Sequence, residues 1–121
     1  MAVKDKLAAF EDVNGYIGCG VFTPEGEMLE GTSQISGLHQ EVLGSLLNDV
    51  LLAAQTMTDK GGFGKSDFIQ INSDMGMLLA KCNGNAEGKH YHVTLFLKPE
   101  GNVAMGKMKL KAVVDALAEE F

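Results

Sequence analysis

Three segments of the chain carry apolar residues at helical spacing. They are residues 3–12, residues 39–59 and a segment that starts at Val103 and runs to the C-terminus. Asn14-Gly15 follows the first segment and Gly61 follows the second. Because Gly and Asn tolerate positive φ, they predict where these two helices end.

Extended, apolar runs occupy the intervals between the predicted helices. They cover residues 16–22, a run that begins at Met28-Leu29, and residues 67–72, 75–80 and 91–97. The pattern predicts an α+β fold with the order α-β-β-α-β-β-β-α, in which an antiparallel five-stranded sheet has helices on both faces. No repeat and no long linker divides the chain, so residues 1–121 are expected to form a single domain.

The helix predicted over residues 39–59 has a wider apolar arc than one sheet face can cover. One line along it carries Leu43, Leu47, Leu51 and Ala54, and an adjacent line carries Val42, Leu46, Val50, Ala53 and Met57. Each large side chain contributes about 1.5–3 kcal/mol when fully buried. Two explanations are open: loops 30–38 and 60–66 cover the second line, or a second copy of the chain does so in a two-fold dimer.

The dimer is the favoured explanation, because the strand that follows this helix could lie at an edge of the sheet. The free N–H and C=O groups of such a strand over Phe68 to Asn72 would invite pairing with another copy. Helix and edge strand would then form one surface.

The stretch GGFGKS at residues 61–66 ends with the three letters of a phosphate-binding P-loop. That motif needs a glycine where this chain has Asp59, and it must join a strand to a following helix. Here a predicted helix precedes the stretch and a predicted strand follows it. The stretch is therefore interpreted as a helix terminator.

Composition and charge narrow the function classes. The formal net charge of −6 is spread along the chain and disfavours nucleic acid and anionic lipid as partners. The N-terminal segment lacks the apolar run of a secretory signal, and no stretch is long enough to insert in a membrane, so a cytoplasmic location is expected. Cys19 and Cys82 are expected to be buried or idle thiols.

A metal site or a catalytic site is weighed against simple packing. His90 and His92 are two positions apart and Cys82 is nearby, but four ligands are expected for a structural metal site and nothing else in the chain completes one. The two histidines are therefore interpreted as a polar strand face. No motif marks either thiol as activated, so no catalytic, cofactor-binding or metal-binding residue is predicted.

Two segments of the chain resemble a known family. DVNGYIGCGVFTPEGEMLEG is similar to the opening hairpin of roadblock/dynein-light-chain domains, and VTLFLKPEGNVAMGKMKLKAVVDALAEEF is similar to their last strand and final helix. The resemblance implies a profilin-like fold that pairs through the long middle helix and the following strand. It also implies a regulator or scaffold of small Ras-like GTPases, or an adaptor on a dynein motor or in signalling.

The resemblance places two sets of residues by position. The dimer interface would comprise Val42, Leu46, Val50, Ala53, Met57, Phe68, Ile69 and Ile71. The GTPase or motor subunit would meet the polar, outer side of the paired helices at Gln40, Glu41, Asn48, Asp49 and Gln55.

Two other binding modules with related architecture remain as alternatives. A profilin-like polyproline binder would need an aromatic groove, and the chain has no tryptophan and two tyrosines. A small-ligand sensory domain would need an internal pocket with a few converging polar groups. Neither alternative requires catalysis.

Overall fold

A computed structural model describes residues 2–33, 39–84 and 90–120 of the chain. The helices are α1 (Ala2–Leu7), α2 (Gln40–Lys60) and α3 (Val103–Leu117), and short 3₁₀ turns over Ala8–Asp12 and Ala118–Glu120 follow α1 and α3. The strands are β1 (Tyr16–Phe22), β2 (Met28–Ser33), β3 (Phe68–Ser73), β4 (Gly76–Cys82) and β5 (His92–Leu97). This order of elements is the one that the sequence predicts.

The five strands form one antiparallel sheet in the order β2-β1-β5-β4-β3. The central strand β5 is rich in β-branched and large apolar residues, and all six of its residues are buried. The hairpin between β1 and β2 turns at Gly26, whose φ of 94° suits glycine. The predicted α+β fold and its five-stranded sheet are confirmed.

Helices cover both faces of this sheet. On one face α1, its 3₁₀ turn and α3 pack against side chains such as Val93, Leu95 and Leu97 of β5. On the other face α2 packs against a smaller cluster that includes Ile17 and Phe96. Because successive side chains of a strand point to opposite faces, one strand serves both layers.

The GGFGKS stretch ends α2 rather than opening a helix. Gly62 has a φ of 81°, its N–H donates to the carbonyl of Asp59, and the N–H of Phe63 donates to the carbonyl of Thr58 at 2.8 Å. This is the Schellman arrangement, in which a left-handed glycine satisfies the last carbonyls of a helix. The sequence-based interpretation of the stretch as a helix terminator is confirmed.

None of the helices in the described ranges combines the length and the apolar character that crossing a bilayer requires.

Candidate pairing and partner-binding surface

The inward side of α2 is defined by a buried set at positions three, four and seven apart, which is the spacing of one helix face. Its members are Gly44, Leu47, Asn48 and Leu51. Leu47 and Leu51 pack into the cluster with Phe96, and Gly44 lies against the ring of Phe22. Leu43 is partly buried beside this set, and the opposite side of α2 faces away from the sheet.

An exposed apolar row runs along the outward side of α2. Val42 is 58% exposed, Leu46 57%, Val50 44% and Met57 68%, and Ala53 is exposed between them. These five residues are the predicted helical part of the dimer interface, and we call them the α2 row. Such a series of large exposed side chains marks an interaction surface more often than isolated exposed residues do.

The loop after α2 does not cover the α2 row. Residues 60–65 are themselves exposed, and the Phe63 ring is 88% exposed. The other loop considered as a cover includes residues 34–38, which lie outside the described residues. The contacts that are described therefore leave the α2 row open.

Strand β3 lies at one edge of the sheet, beside β4, as the sequence-based argument anticipates. Ile69 packs on the α2 side, and Ile71, two positions along, is 37% exposed. Phe68 packs on the opposite side of the sheet, where Lys107 Nζ lies 5.6 Å from its ring centroid. The structure thus brings Ile69 and Ile71, but not the Phe68 side chain, to the face that carries α2.

The candidate partner-binding residues fall into two groups. Glu41 and Asp49 are exposed on α2, and Gln55 is half-buried near its C-terminal end. Gln40 instead points to the sheet, because its side-chain amide donates to the carbonyl of Cys19. Asn48 is 2% exposed, so its predicted place on the outer polar side is wrong.

Asn48 is buried because two interior groups bond to its amide. The Asn48 amide nitrogen donates to the Pro24 carbonyl at 2.9 Å, and its oxygen bonds with Nδ1 of His92. A buried polar side chain is retained when such bonds are made. Asn48 lies four positions after Gly44 and three before Leu51, and this spacing is the signal that could have placed it inward.

His92 is fully buried, so the predicted polar strand face formed by His90 and His92 is wrong. Burial is the larger cause and electrostatic repulsion with His90 the smaller one, and together they lower the pKa of His92 to about 4. The imidazole is therefore neutral near pH 7. Its Nδ1 bonds to Asn48, and its Nε2 has no hydrogen-bond partner among the described residues.

Both cysteines are buried, as predicted, but Cys82 has a polar environment. Its Sγ lies 2.7 Å from Nε2 of His90, and the N–H of Gly84 donates to the same sulfur at 3.1 Å. Cys82, His90 and His92 each offer a ligand atom within 4.8 Å of the others, so by distance they could hold a metal ion. An open cleft of about 510 Å³ adjoins them and is lined by Gln55, Lys65 and Asp67 among others.

Comparison with solved structures gives high similarity along nearly the whole chain. An MglB described as having a tetrameric arrangement matches with a TM-score of 0.84 and 15% identity, covering 98% of this chain and 86% of that one. The gliding protein MglB of Thermus thermophilus matches with a TM-score of 0.81 and 16% identity, covering 98% and 90%. A Roadblock/LC7 domain of Streptomyces avermitilis matches with a TM-score of 0.77 and 10% identity, covering 93% and 89%.

Comparisons at the level of sequence give no match, neither to a protein-family model nor to a curated protein. The element order, the strand order and the helices on both faces nevertheless superpose on the solved structures over more than nine-tenths of the chain. The chain therefore has the fold of the MglB and Roadblock/LC7 domains.

Proposed function

We propose that residues 1–121 form a single non-catalytic domain that works as a homodimer in the cytoplasm and binds a small Ras-like GTPase. The dimer would modulate GTP hydrolysis by that partner or its location. The observation that carries the proposal is the exposed α2 row on the same face as Ile71 of the edge strand β3.

A two-fold axis beside β3 satisfies both parts of this surface at once. It sets the two β3 strands antiparallel, so that their outer N–H and C=O groups pair and two five-stranded sheets become one. The same axis places α2 of one copy against α2 of the other and buries Leu46 and Val50. Phe68 then contributes through its backbone in β3, since its side chain is used on the opposite face.

Burial of the α2 row supplies a driving force for pairing. Val, Leu and Met side chains each contribute about 1.5–3 kcal/mol when fully buried, and those of the α2 row are about half exposed in the single chain. One of the similar structures is an MglB with a tetrameric arrangement, which supports self-association through this kind of fold.

The partner surface proposed for the GTPase lies beside the α2 row. Glu41 and Asp49 each precede a residue of the row by one position, which turns them about 100° around the helix in the same direction. They are exposed, so they can remain accessible when the helices pair. With Gln55 they would present a polar, acidic rim to a neutral or basic protein surface; Gln40 and Asn48, which point to the sheet, take no part.

The types of basic residue in the chain limit how it could accelerate GTP hydrolysis by its partner. All ten are lysines, so the chain has no arginine to insert into the active site of a GTPase. Any acceleration of hydrolysis would therefore come from ordering of the partner's own catalytic groups. This distinguishes the proposed module from a GTPase activator that donates an arginine finger.

The test of the GTPase partner is nucleotide-dependent capture. The tagged chain is incubated with lysate of its source organism in the presence of GDP or a non-hydrolysable GTP analogue, and bound proteins are identified by mass spectrometry. We expect a Ras-like GTPase that prefers one nucleotide state. Its GTP hydrolysis is then measured with and without the chain.

Reversing the charge of a single exposed residue tests where the GTPase binds on the chain. Asp49→Lys is expected to lose the GTPase while the chain stays dimeric, and Glu100→Lys, at an exposed turn far along the sequence, serves as the matched control. Recovery of a motor or signalling subunit in place of a GTPase, in both nucleotide states, would move the function to an adaptor.

A further inference from the structure

The geometry points to a zinc site formed by Cys82, His90 and His92 at the junction of β4 and β5, beneath α2. Cys82 ends β4 and His92 begins the neighbouring antiparallel strand β5, and His90 lies two positions before His92. One thiolate and two imidazoles form a ligand set that suits Zn²⁺. This site goes beyond the proposed function and requires neither pairing nor a GTPase.

The distances fit a tetrahedral ion. With Zn–S near 2.3 Å and Zn–N near 2.0 Å, tetrahedral angles place ligand atoms roughly 3.5 Å apart. The observed separations range from 2.7 Å between Cys82 Sγ and His90 Nε2 to at most 4.8 Å among the three ligand atoms. Shifts of about 1 Å therefore complete the site, and these lie within the reach of side-chain rotation.

His92 is already prepared as a ligand. Metal-bound histidines almost always donate their second ring N–H to an oxygen, which fixes the tautomer and the ring. Here Nδ1 bonds to the Asn48 oxygen, and the Asn48 amide is itself held by the Pro24 carbonyl at 2.9 Å. This leaves Nε2 with a lone pair in a fully buried ring, without a partner among the described residues.

A bound ion explains a feature that packing alone does not. A buried nitrogen that makes no hydrogen bond loses its solvation without compensation, so such atoms are rare in folded proteins. As Zn–S forms, the Cys82 thiol releases its proton to solvent, and the two imidazoles form one further bond each through a nitrogen lone pair. Water can occupy the fourth position from the adjoining cleft.

The test uses the full chain, reduced and free of metal, with Co²⁺ and Zn²⁺ as probes. We expect one ion per chain, a near-ultraviolet thiolate-to-cobalt absorption band with tetrahedral visible bands, and loss of these bands when Zn²⁺ is added. The thermal midpoint should rise with Zn²⁺ concentration, because the ion binds only the folded chain.

Four variants assign the ligands. Cys82→Ser and His90→Gln should weaken Zn²⁺ binding by at least about 100-fold, the upper end of what loss of an outer partner costs. His39→Gln, which is exposed, and Cys19→Ser, on the opposite face of the sheet, should bind as the parent does. His90 is only partly buried, so its variant tests the site even if Cys82→Ser fails to fold.

The inference is overturned if the parent chain gives no thiolate-to-cobalt band. It is equally overturned if the band survives in folded Cys82→Ser, or if His39→Gln weakens binding as much as His90→Gln does. Soluble Leu46→Glu, which targets pairing, and the control Met108→Glu should both retain the full cobalt spectrum, so failure of the dimer proposal and failure of the zinc site are separable.

Discussion

At the scale of single residues, a short chain of buried polar groups ties the layers of the molecule together. Asn48 of α2 bonds to His92 of the central strand and to the carbonyl of Pro24 in the β1–β2 turn. A buried hydrogen bond adds little to the free energy of unfolding, but removing one partner and leaving the other unpaired lowers it markedly. Asn48 therefore fixes where α2 sits on the sheet.

Asn48→Ala should destabilise the fold strongly, because it leaves Nδ1 of His92 and the Pro24 carbonyl without their partner. At about 1–3 kcal/mol for each buried unpaired group, a loss of at least about 2 kcal/mol in the free energy of unfolding is expected. Asp49→Ala, exposed one position further, should change it by less than about 0.5 kcal/mol. Urea unfolding measures both, and equal values for the two variants would contradict the role of Asn48.

Stability at alkaline pH depends on groups on the sheet face that α1 and α3 cover. Burial raises the pKa of the Cys19 thiol and of the Tyr16 and Tyr91 phenols. Their ordinary pKa values are 9.0 for Cys and 10.0 for Tyr, so the unfolded chain loses these protons first as pH rises.

The contribution of these three groups is thus complete below about pH 9 and is lost progressively above it. The urea midpoint should be level near pH 8 and fall steadily towards about pH 11. Tyr16→Phe should show a smaller fall, since one of the three groups is removed. A midpoint that does not change over this range would refute the assignment.

At the scale of elements, α2 has two apolar sides with different roles. The inward side packs Leu47 and Leu51 on the sheet, and the outward side carries the α2 row. The glycine in the middle of the inward side is a packing feature, because a Cβ at Gly44 would lie 1.8 Å from Cζ of Phe22. The aromatic ring fills the space that a side chain would take.

Gly44→Ala should therefore destabilise the protein, although the same change in an open helix stabilises it by about 1 kcal/mol. Overpacking of this kind costs about 1–3 kcal/mol. This cost is expected to exceed the gain in helix propensity, so the free energy of unfolding should fall. Gly106→Ala in α3 is the matched control, since its Cβ would meet side-chain ends of Leu97 and Leu95 at 3.1 and 3.3 Å and of Val13 at 4.0 Å. The thermal unfolding midpoint of Gly44→Ala should lie well below that of Gly106→Ala. The opposite order would contradict the packing argument.

The elements themselves are largely readable from periodicity. The run at residues 16–22 coincides with β1, residues 39–59 differ from α2 by one position at each end, and the run at 91–97 starts one position before β5. The exposed α2 row follows from the same periodicity. Spacing along α2 could place Asn48 on the inward side, but the polar partners that allow Asn48 and His92 to be buried lie 24 and 44 positions away and could not be predicted from local pattern.

At the scale of the whole molecule, the three layers leave one apolar surface exposed. The face covered by α1 and α3 is closed over a core of fully buried side chains, including Leu95 and Leu110. On the other face, the α2 row points away from the sheet. The edge strand β3 carries the exposed Ile71 on that same face. The central claim of the proposed function is that a second copy of the chain would complete both features.

Pairing through α2 is tested most directly by the molar mass of the chain in solution. Light scattering after size exclusion should give twice the 12.9 kDa chain mass for the parent protein. Leu46→Glu should give the single-chain mass or insoluble protein, because a carboxylate cannot be buried at the centre of the interface. Met108→Glu is the control, since Met108 is 73% exposed on the opposite layer, and it should stay dimeric. A monomeric parent, or a soluble Leu46→Glu that remains a dimer, would contradict the account.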